Sequence, residues 1–256
     1  MSRFYINEPL KSGALLTLAG PHYNYIARVL RMREGESITL FNGQGGEYSA
    51  TIESIAKRDL TLLVGDFNLE NRTSPLTIHL YQAMAKGEKM ELVFQKATEL
   101  GVTSITPIIT ERSVATLKAA QLPKKMERWN AIIESSCEQC GLNIVPTLNE
   151  PIPFNALLER LSADCSTKSA NENHAYLTLA PTGEKSFGEL INTELSKIRE
   201  FSIIIGPEGG LSADEIDALT EKGAHSTRMG SRILRTETAA LSVISSLHAL
   251  IGDWAE

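Results

Sequence analysis

Two short stretches of this chain combine bare backbone with charged side chains. In the first, Gly206-Pro207-Glu208-Gly209-Gly210 follows the apolar run Phe201–Ile205, and in the second, Met229-Gly230-Ser231-Arg232-Ile233-Leu234-Arg235-Thr236-Glu237 sets two arginines close to a carboxylate. Glycines allow backbone angles and close approaches that a Cβ would block, and Pro207 stiffens its turn. An arginine fork can orient a planar polar group, and a nearby carboxylate can take a proton or pair with the arginine. Two glycine turns that close together predict one pocket for a small ligand.

The first turn matches neither G-x-G-x-x-G nor a phosphate loop, and the carboxylate of Glu208 would repel phosphates, so a cationic or zwitterionic ligand suits it better. No G-x-S-x-G elbow and no H-E-x-x-H occurs, which argues against serine hydrolases and zinc proteases. His22, His79, His174, His225 and His248 are scattered and read as structural. Cys137 and Cys140 form a C-x-x-C without a second pair, which reads as two thiols on one helical face, with no metal site.

These residues need elements to position them. Phe201–Ile205 is continuously apolar and β-branched, as a strand buried on both faces in a parallel sheet would be. Ser212 and Glu215 have capping-box spacing, so a helix starts there and runs to about Lys222, with Gly223 as its stop. Thr236 or Thr238 is expected to cap a final helix whose Leu241, Ile244, Leu247 and Ile251 share a face. Tyr176–Leu179 is a further strand, ending in the loop Ala180-Pro181-Thr182-Gly183. Upstream, Leu76–Gln82, a helix at about Glu88–Leu100, Ile105–Ile109 and a helix at about Pro123–Cys140 alternate as βαβ units do. Phe154–Leu161 reads as a short helix and Ser162–Asn173 as a polar loop.

Residues 1–70 have a different character: short strands at Arg3–Ile6, Leu15–Leu18, Ser37–Phe41, Tyr48–Ile55 and Leu60–Val64, closing into a small barrel. A helical segment opened by Pro21 would align Ile26, Val29 and Leu30 in a stripe and set Arg28 and Arg31 on one face. A polar linker at about Asn68–Pro75 separates the two domains, 1–70 and 75–256. The whole chain of 256 residues carries a net charge of -6, yet its first 33 residues hold five basic groups against Glu8 alone. The N-terminal end is therefore the basic end. Lys86, Lys89 and Lys96 stand among acids within and just before the first helix of the second domain and read as a solvated face. Three cysteines, no leader and no run near the roughly 18 apolar residues that span a bilayer predict a cytoplasmic protein without a membrane partner.

The stretch Ile205–Ser212, together with Gly230-x-Arg232-Ile233-Leu234-Arg235-Thr236-Glu237-Thr238-Ala239, resembles the RsmE family of 16S ribosomal RNA uridine-N3 methyltransferases. His22–Arg31, Lys86–Glu91, Lys96 with Glu99-Leu100-Gly101, Pro107 and Glu138–Gly141 match as well. The resemblance implies an α/β fold: a C-terminal SPOUT-type trefoil-knot methyltransferase domain that binds S-adenosylmethionine, an N-terminal PUA-like β-barrel for RNA, and a homodimer through the C-terminal domain. It implies cofactor contacts from Leu179, Pro181, Gly206, Glu208, Gly210, Met229, Gly230, Ile233, Leu234 and Thr236. Ala180 departs from the family, where a polar residue often precedes the proline. For that reaction Arg235 would stabilise the uracil anion or orient the base, and Glu237 would accept the N3 proton directly or through water, or else form a structural salt bridge with Arg235 or Arg232. Lys11, Arg28, Arg31 and Lys86 would hold phosphates of the 16S rRNA in the small ribosomal subunit. A non-catalytic RNA-binding module acting in ribosome assembly is the alternative, and a dinucleotide oxidoreductase the weaker rival.

Overall fold

The computed structural model describes residues 2–113, 119–166, 173–183 and 185–255, without the side chains of 164–166. Its α-helices are α1 (Gly20–Tyr23), α2 (Lys89–Glu99), α3 (Leu122–Cys140), α4 (Phe154–Ser166), α5 (Phe187–Thr193), α6 (Ala213–Glu221) and α7 (Thr236–Ile251). Among the described residues, no helix is long and apolar enough to cross a membrane. Two compact units form, one from Met1–Thr73 with Glu134–Val145, the other from Ser74–Ile133 with Pro146–Glu256.

In the first unit β1 (Arg3–Tyr5), β2 (Leu15–Ala19), β3 (Ser37–Phe41), β4 (Glu47–Ile55) and β5 (Asp59–Asn68) make a sheet in the order β1-β3-β4-β5-β2. Register shifts between Tyr48 and Ala50 and between Ile52 and Ser54 bend β4. Phe4 from one edge strand and Leu18 from the other share a core with Ile38, Leu40, Ile52, Leu60 and Leu62, so the sheet curls around a single interior.

The segment after Pro21 departs from the expected α-helix. After α1 the chain turns as a π-helix over Asn24–Val29, and the Leu30 amide donates to the Tyr25 carbonyl at 2.8 Å. This wider turn spoils the α-helical stripe: Ile26 is fully buried, whereas Val29 and Leu30 are 64% and 37% exposed. Arg31 then adopts a left-handed φ of 55°, so Arg28 and Arg31 do not share a continuous helical face.

The last turns of α3 also belong to the first unit. Phe41 packs with Cys137 and Leu142, and Glu138 Oε1 accepts the Tyr5 amide at 3.0 Å. Burial first, then Cys140 and Glu134, pushes the Cys137 thiol up to about 12, so it stays protonated and packs as a small apolar group. Arg3 pairs with Glu47 and donates to Asn143 Oδ1 at 2.6 Å. Burial alone would push the Glu47 carboxyl up, but hydrogen bonds from Arg3, Arg72 and Asn143 hold it below the usual range.

The second unit is a parallel sheet. β6 (Thr77–Ala83), β7 (Ser104–Ile109), β8 (Thr147–Leu148), β10 (His174–Leu179), β11 (Lys185–Ser186), β12 (Glu200–Ile205) and β13 (His225–Arg228) lie in the order β11-β13-β10-β12-β6-β7-β8, with β9 (Ile152–Pro153) on β7. Every pairing is parallel. Phe201–Ile205 of β12 are all buried, as a strand covered on both faces is, and the one polar member, Ser202, shares a hydrogen bond with His174 at 3.0 Å. Helix α4 continues past Leu161 to Ser166, into the expected polar loop, because Leu157 and Leu161 are anchored in the core. The part of that loop at 167–172 lies outside the described residues.

Replacing Arg3 with methionine is expected to strip Asn143 Oδ1 of its Arg3 donor and leave Glu47 with Arg72 and Asn143 alone, lowering stability at neutral pH by about 1–3 kcal/mol. Glu47 has a depressed pKa, so its stabilising share is present above the ordinary carboxylate range and lost as pH falls through its folded value. Urea denaturation of both proteins at neutral and acid pH checks this: the gap should narrow in acid.

Candidate active site

The neighbouring strands β13, β10 and β12 all end in loops on one side, as parallel strands must. After β12, Gly206 permits a close approach, since a Cβ there would lie 2.8 Å from the Leu211 amide. Gly210 takes a φ of 69° and its amide donates to the Pro207 carbonyl at 2.9 Å. Helix α6 then opens on the full capping box of Ser212 and Glu215. After β10, the Ala180 amide donates to the Thr227 carbonyl at 3.0 Å, and Gly183 runs so close to Thr227 that a Cβ would sit 2.6 Å from its carbonyl carbon.

The loop after β13 leads into α7 through Arg235, an extended N-cap without a side-chain cap hydrogen bond. The expected threonine cap is thus absent: Thr236 already occupies the first helical position. Its hydroxyl instead donates to the Gly206 carbonyl at 2.6 Å and accepts from Gln82 Nε2 at 2.8 Å. Gln82 is fully buried in β6, so one hydroxyl ties the glycine loop, the central sheet and the start of α7.

The loops enclose a cavity of about 690 Å³. Leu179, Pro181, Gly206, Glu208, Gly210, Met229, Gly230, Ile233, Leu234, Arg235 and Thr236 all line it, and so does Ala180. The size falls within the range of small-molecule sites. Ala180 is 2% exposed. Gly210 and Gly230 hold positive φ, and among the described residues no atom beyond their chain neighbours lies within 4 Å of where a Cβ would sit, so backbone there is reachable.

Glu208 has a different part from the one its charge suggested. Its Oε1 accepts from Lys89 Nζ at 2.9 Å and from the Lys86 amide at 3.1 Å. Burial alone would push its carboxyl up, but the Lys89 contact and the backbone amides hold it below the usual range. The carboxylate therefore stays ionised and paired with Lys89, so it braces its loop while lining the cavity. From the other side, Arg112 Nη1 donates to the Gly209 carbonyl at 3.1 Å, and the Glu111 amide to Glu215 Oε1 at 2.9 Å. Lys89 also lines the cavity. The mixed charges of α2 concealed it, since its partner lies far along the chain.

Glu237 is absent from the lining. Its Oε2 is buried without a hydrogen-bond partner, as is Gln82 Oε1. No ion pair joins Glu237 to Arg232 or Arg235 among the described residues. Lys86 is exposed in this unit, and Lys11, Arg28 and Arg31 are exposed in the first.

Replacing Thr236 with valine is expected to leave the Gly206 carbonyl without this donor and Gln82 Nε2 with the Ala83 carbonyl alone, costing about 1–3 kcal/mol in urea denaturation. Thr236→Ser should keep most of that stability, since the hydroxyl remains.

Comparison with known proteins bears on this geometry. The family described as RNA methyltransferase domain matches residues 72–248, and that described as RNA methyltransferase PUA domain matches residues 18–64. Ribosomal RNA small subunit methyltransferase E of Buchnera aphidicola subsp. Schizaphis graminum is 34% identical, over 98% of this chain and 97% of its own. Its Bacillus subtilis namesake is 32% identical over 96% of each. The crystal structure of ribosomal RNA small subunit methyltransferase E from Neisseria gonorrhoeae bound to S-adenosyl methionine superposes with a TM-score of 0.86 at 32% identity, covering 99% of both chains.

Proposed function

This chain belongs to the ribosomal RNA small subunit methyltransferase E family, and we propose that it methylates N3 of a uridine in the 16S RNA of the small ribosomal subunit. The observation that carries this reading is the cavity of about 690 Å³ at the strand ends, walled by reachable backbone and bordered by Arg235. In this reading residues 1–70 are the PUA-like RNA-binding domain and residues 75–256 the SPOUT-type methyltransferase domain. The protein works in the cytoplasm, where its substrate is.

S-adenosylmethionine supplies an electrophilic methyl group on a sulfonium. The cavity fits such a ligand: Leu179, Ile205, Leu211 and Leu234 offer apolar wall, and the loops at Gly206–Gly210 and Met229–Leu234 offer backbone donors and acceptors. Glu208 contributes by bracing its loop against α2. Pre-set loops of this kind hold two reactants in line, which is where much of the rate of a displacement comes from.

The chain must also manage one proton and one growing negative charge. Loss of the proton from uracil N3 spreads charge over the two flanking carbonyl oxygens. Arg235 stands exposed at the cavity rim, where its planar fork can meet an imide edge and stabilise that charge. Glu237, two residues on, has a carboxylate oxygen without a hydrogen-bond partner among the described residues, and in this scheme it accepts the N3 proton through water. Lys11, Arg28, Arg31 and Lys86 hold RNA phosphates in this scheme, and the second unit dimerises.

The deciding experiment is transfer of labelled methyl from S-adenosylmethionine to unmodified small subunits and to free 16S RNA, followed by mapping of the labelled base. Label on a uridine N3 is expected; label on any other atom would overturn the reading. Arg235→Ala should lower turnover about a hundredfold or more while calorimetry shows cofactor affinity little changed. Glu237→Gln should depress turnover as well, and sedimentation should give twice the chain mass.

A further inference from the structure

We propose that the π-helical turn of the first unit is a platform on which unpaired RNA bases stack, so that the protein engages its RNA there as a single strand. This rests on the RNA reading above and goes further, because arginines that hold phosphates do not distinguish a duplex from an open strand.

The first observation is exposure. Tyr25, Val29 and Leu30 are 50%, 64% and 37% exposed, a concentration of large apolar side chains that a solvated helix face does not require. The π-turn brings them together, since the Leu30 amide bonds to the Tyr25 carbonyl directly. The second is preorganisation. Tyr25 packs edge-on against Phe4, with ring centroids 6.1 Å apart and planes at 73°, and Phe4 is itself 2% exposed in the core. That contact orients the tyrosine ring while leaving half of it open.

The third observation is charge, which selects the occupant. Arg28, Arg31 and Arg33 are exposed in the same stretch. The acids that follow are turned onto backbone: Glu34 Oε1 accepts the Ile55 amide at 2.9 Å and Glu36 Oε2 the Arg33 amide at 2.7 Å. An apolar face bordered by cations fits a polyanion with flat apolar faces of its own, which is unpaired RNA; a duplex keeps its base faces stacked inside. Finally, the backbone is irregular here: a π-turn and a left-handed Arg31 coincide with the exposed residues, a strained arrangement of the kind that accumulates at functional sites.

The test uses the full chain and methylation of unmodified small subunits across a series of salt concentrations. Tyr25→Ala and Val29→Ser are each expected to raise KM for subunits about five- to tenfold, the loss of one stacked base or its flank. The turnover number, cofactor affinity and slope of log KM against log salt should stay as in the wild type. Tyr25→Phe should restore KM, and an Arg28→Glu, Arg31→Glu double variant should instead reduce the salt slope. Unchanged KM in both Tyr25→Ala and Val29→Ser, or a salt slope that falls in them as in the double variant, would overturn the platform alone. A wild-type protein that methylates no RNA would remove the underlying reading, and the platform with it.

Discussion

Thr236 sits where three parts of the second unit must meet, and its hydroxyl is the smallest group able to join them. It donates to the Gly206 carbonyl and accepts from Gln82, which accounts for a fully buried glutamine in the middle of a parallel sheet. Loops at strand ends lack the ladder partners of the strands, so their backbone groups need other donors and acceptors. Supplying one of these from the first residue of α7 fixes the start of the helix and the floor of the glycine loop together.

The same loop is held from outside by charged groups. Lys89 and the Lys86 amide grip Glu208 on one side, while on the other Arg112 holds the Gly209 carbonyl and the Glu111 amide holds Glu215 at the start of α6. Lys89 and Glu208 belong to the cavity wall themselves, while the backbone at Gly210 and Gly230 stays reachable. Rigidity without occupancy is what a site needs when its main task is alignment. Arg235 is exposed and lines the cavity, and Glu237 Oε2 is buried without a hydrogen-bond partner among the described residues, so both differ from a frame whose charged groups are paired.

The first unit solves a different problem, that of making a small core from short strands. Curling brings Phe4 and Leu18 from opposite sheet edges into one interior, and the last turns of α3 add Cys137 and Leu142 against Phe41. The Arg3, Glu47 and Asn143 network fastens that added segment. The π-turn then leaves Tyr25, Val29 and Leu30 outside the core rather than in it.

What the sequence determined by itself was local. Short runs rich in apolar and β-branched residues specified most of the longer parallel strands, glycine spacing specified the turns, and Ser212 with Glu215 specified a helix start that the structure keeps hydrogen bond for hydrogen bond. Those signals are legible because each depends on residues a few positions apart. Tertiary structure decided what depends on partners far along the chain: Glu208 meets Lys89 across more than a hundred residues, Thr236 leaves its expected cap for Gly206 and Gln82, and the end of α3 joins the first unit. The π-turn lies between these cases. Its residues are adjacent, but whether Val29 faces inward or outward turns on a single added residue in the helical repeat, and burial of Ile26 against a core assembled from distant strands settles that register.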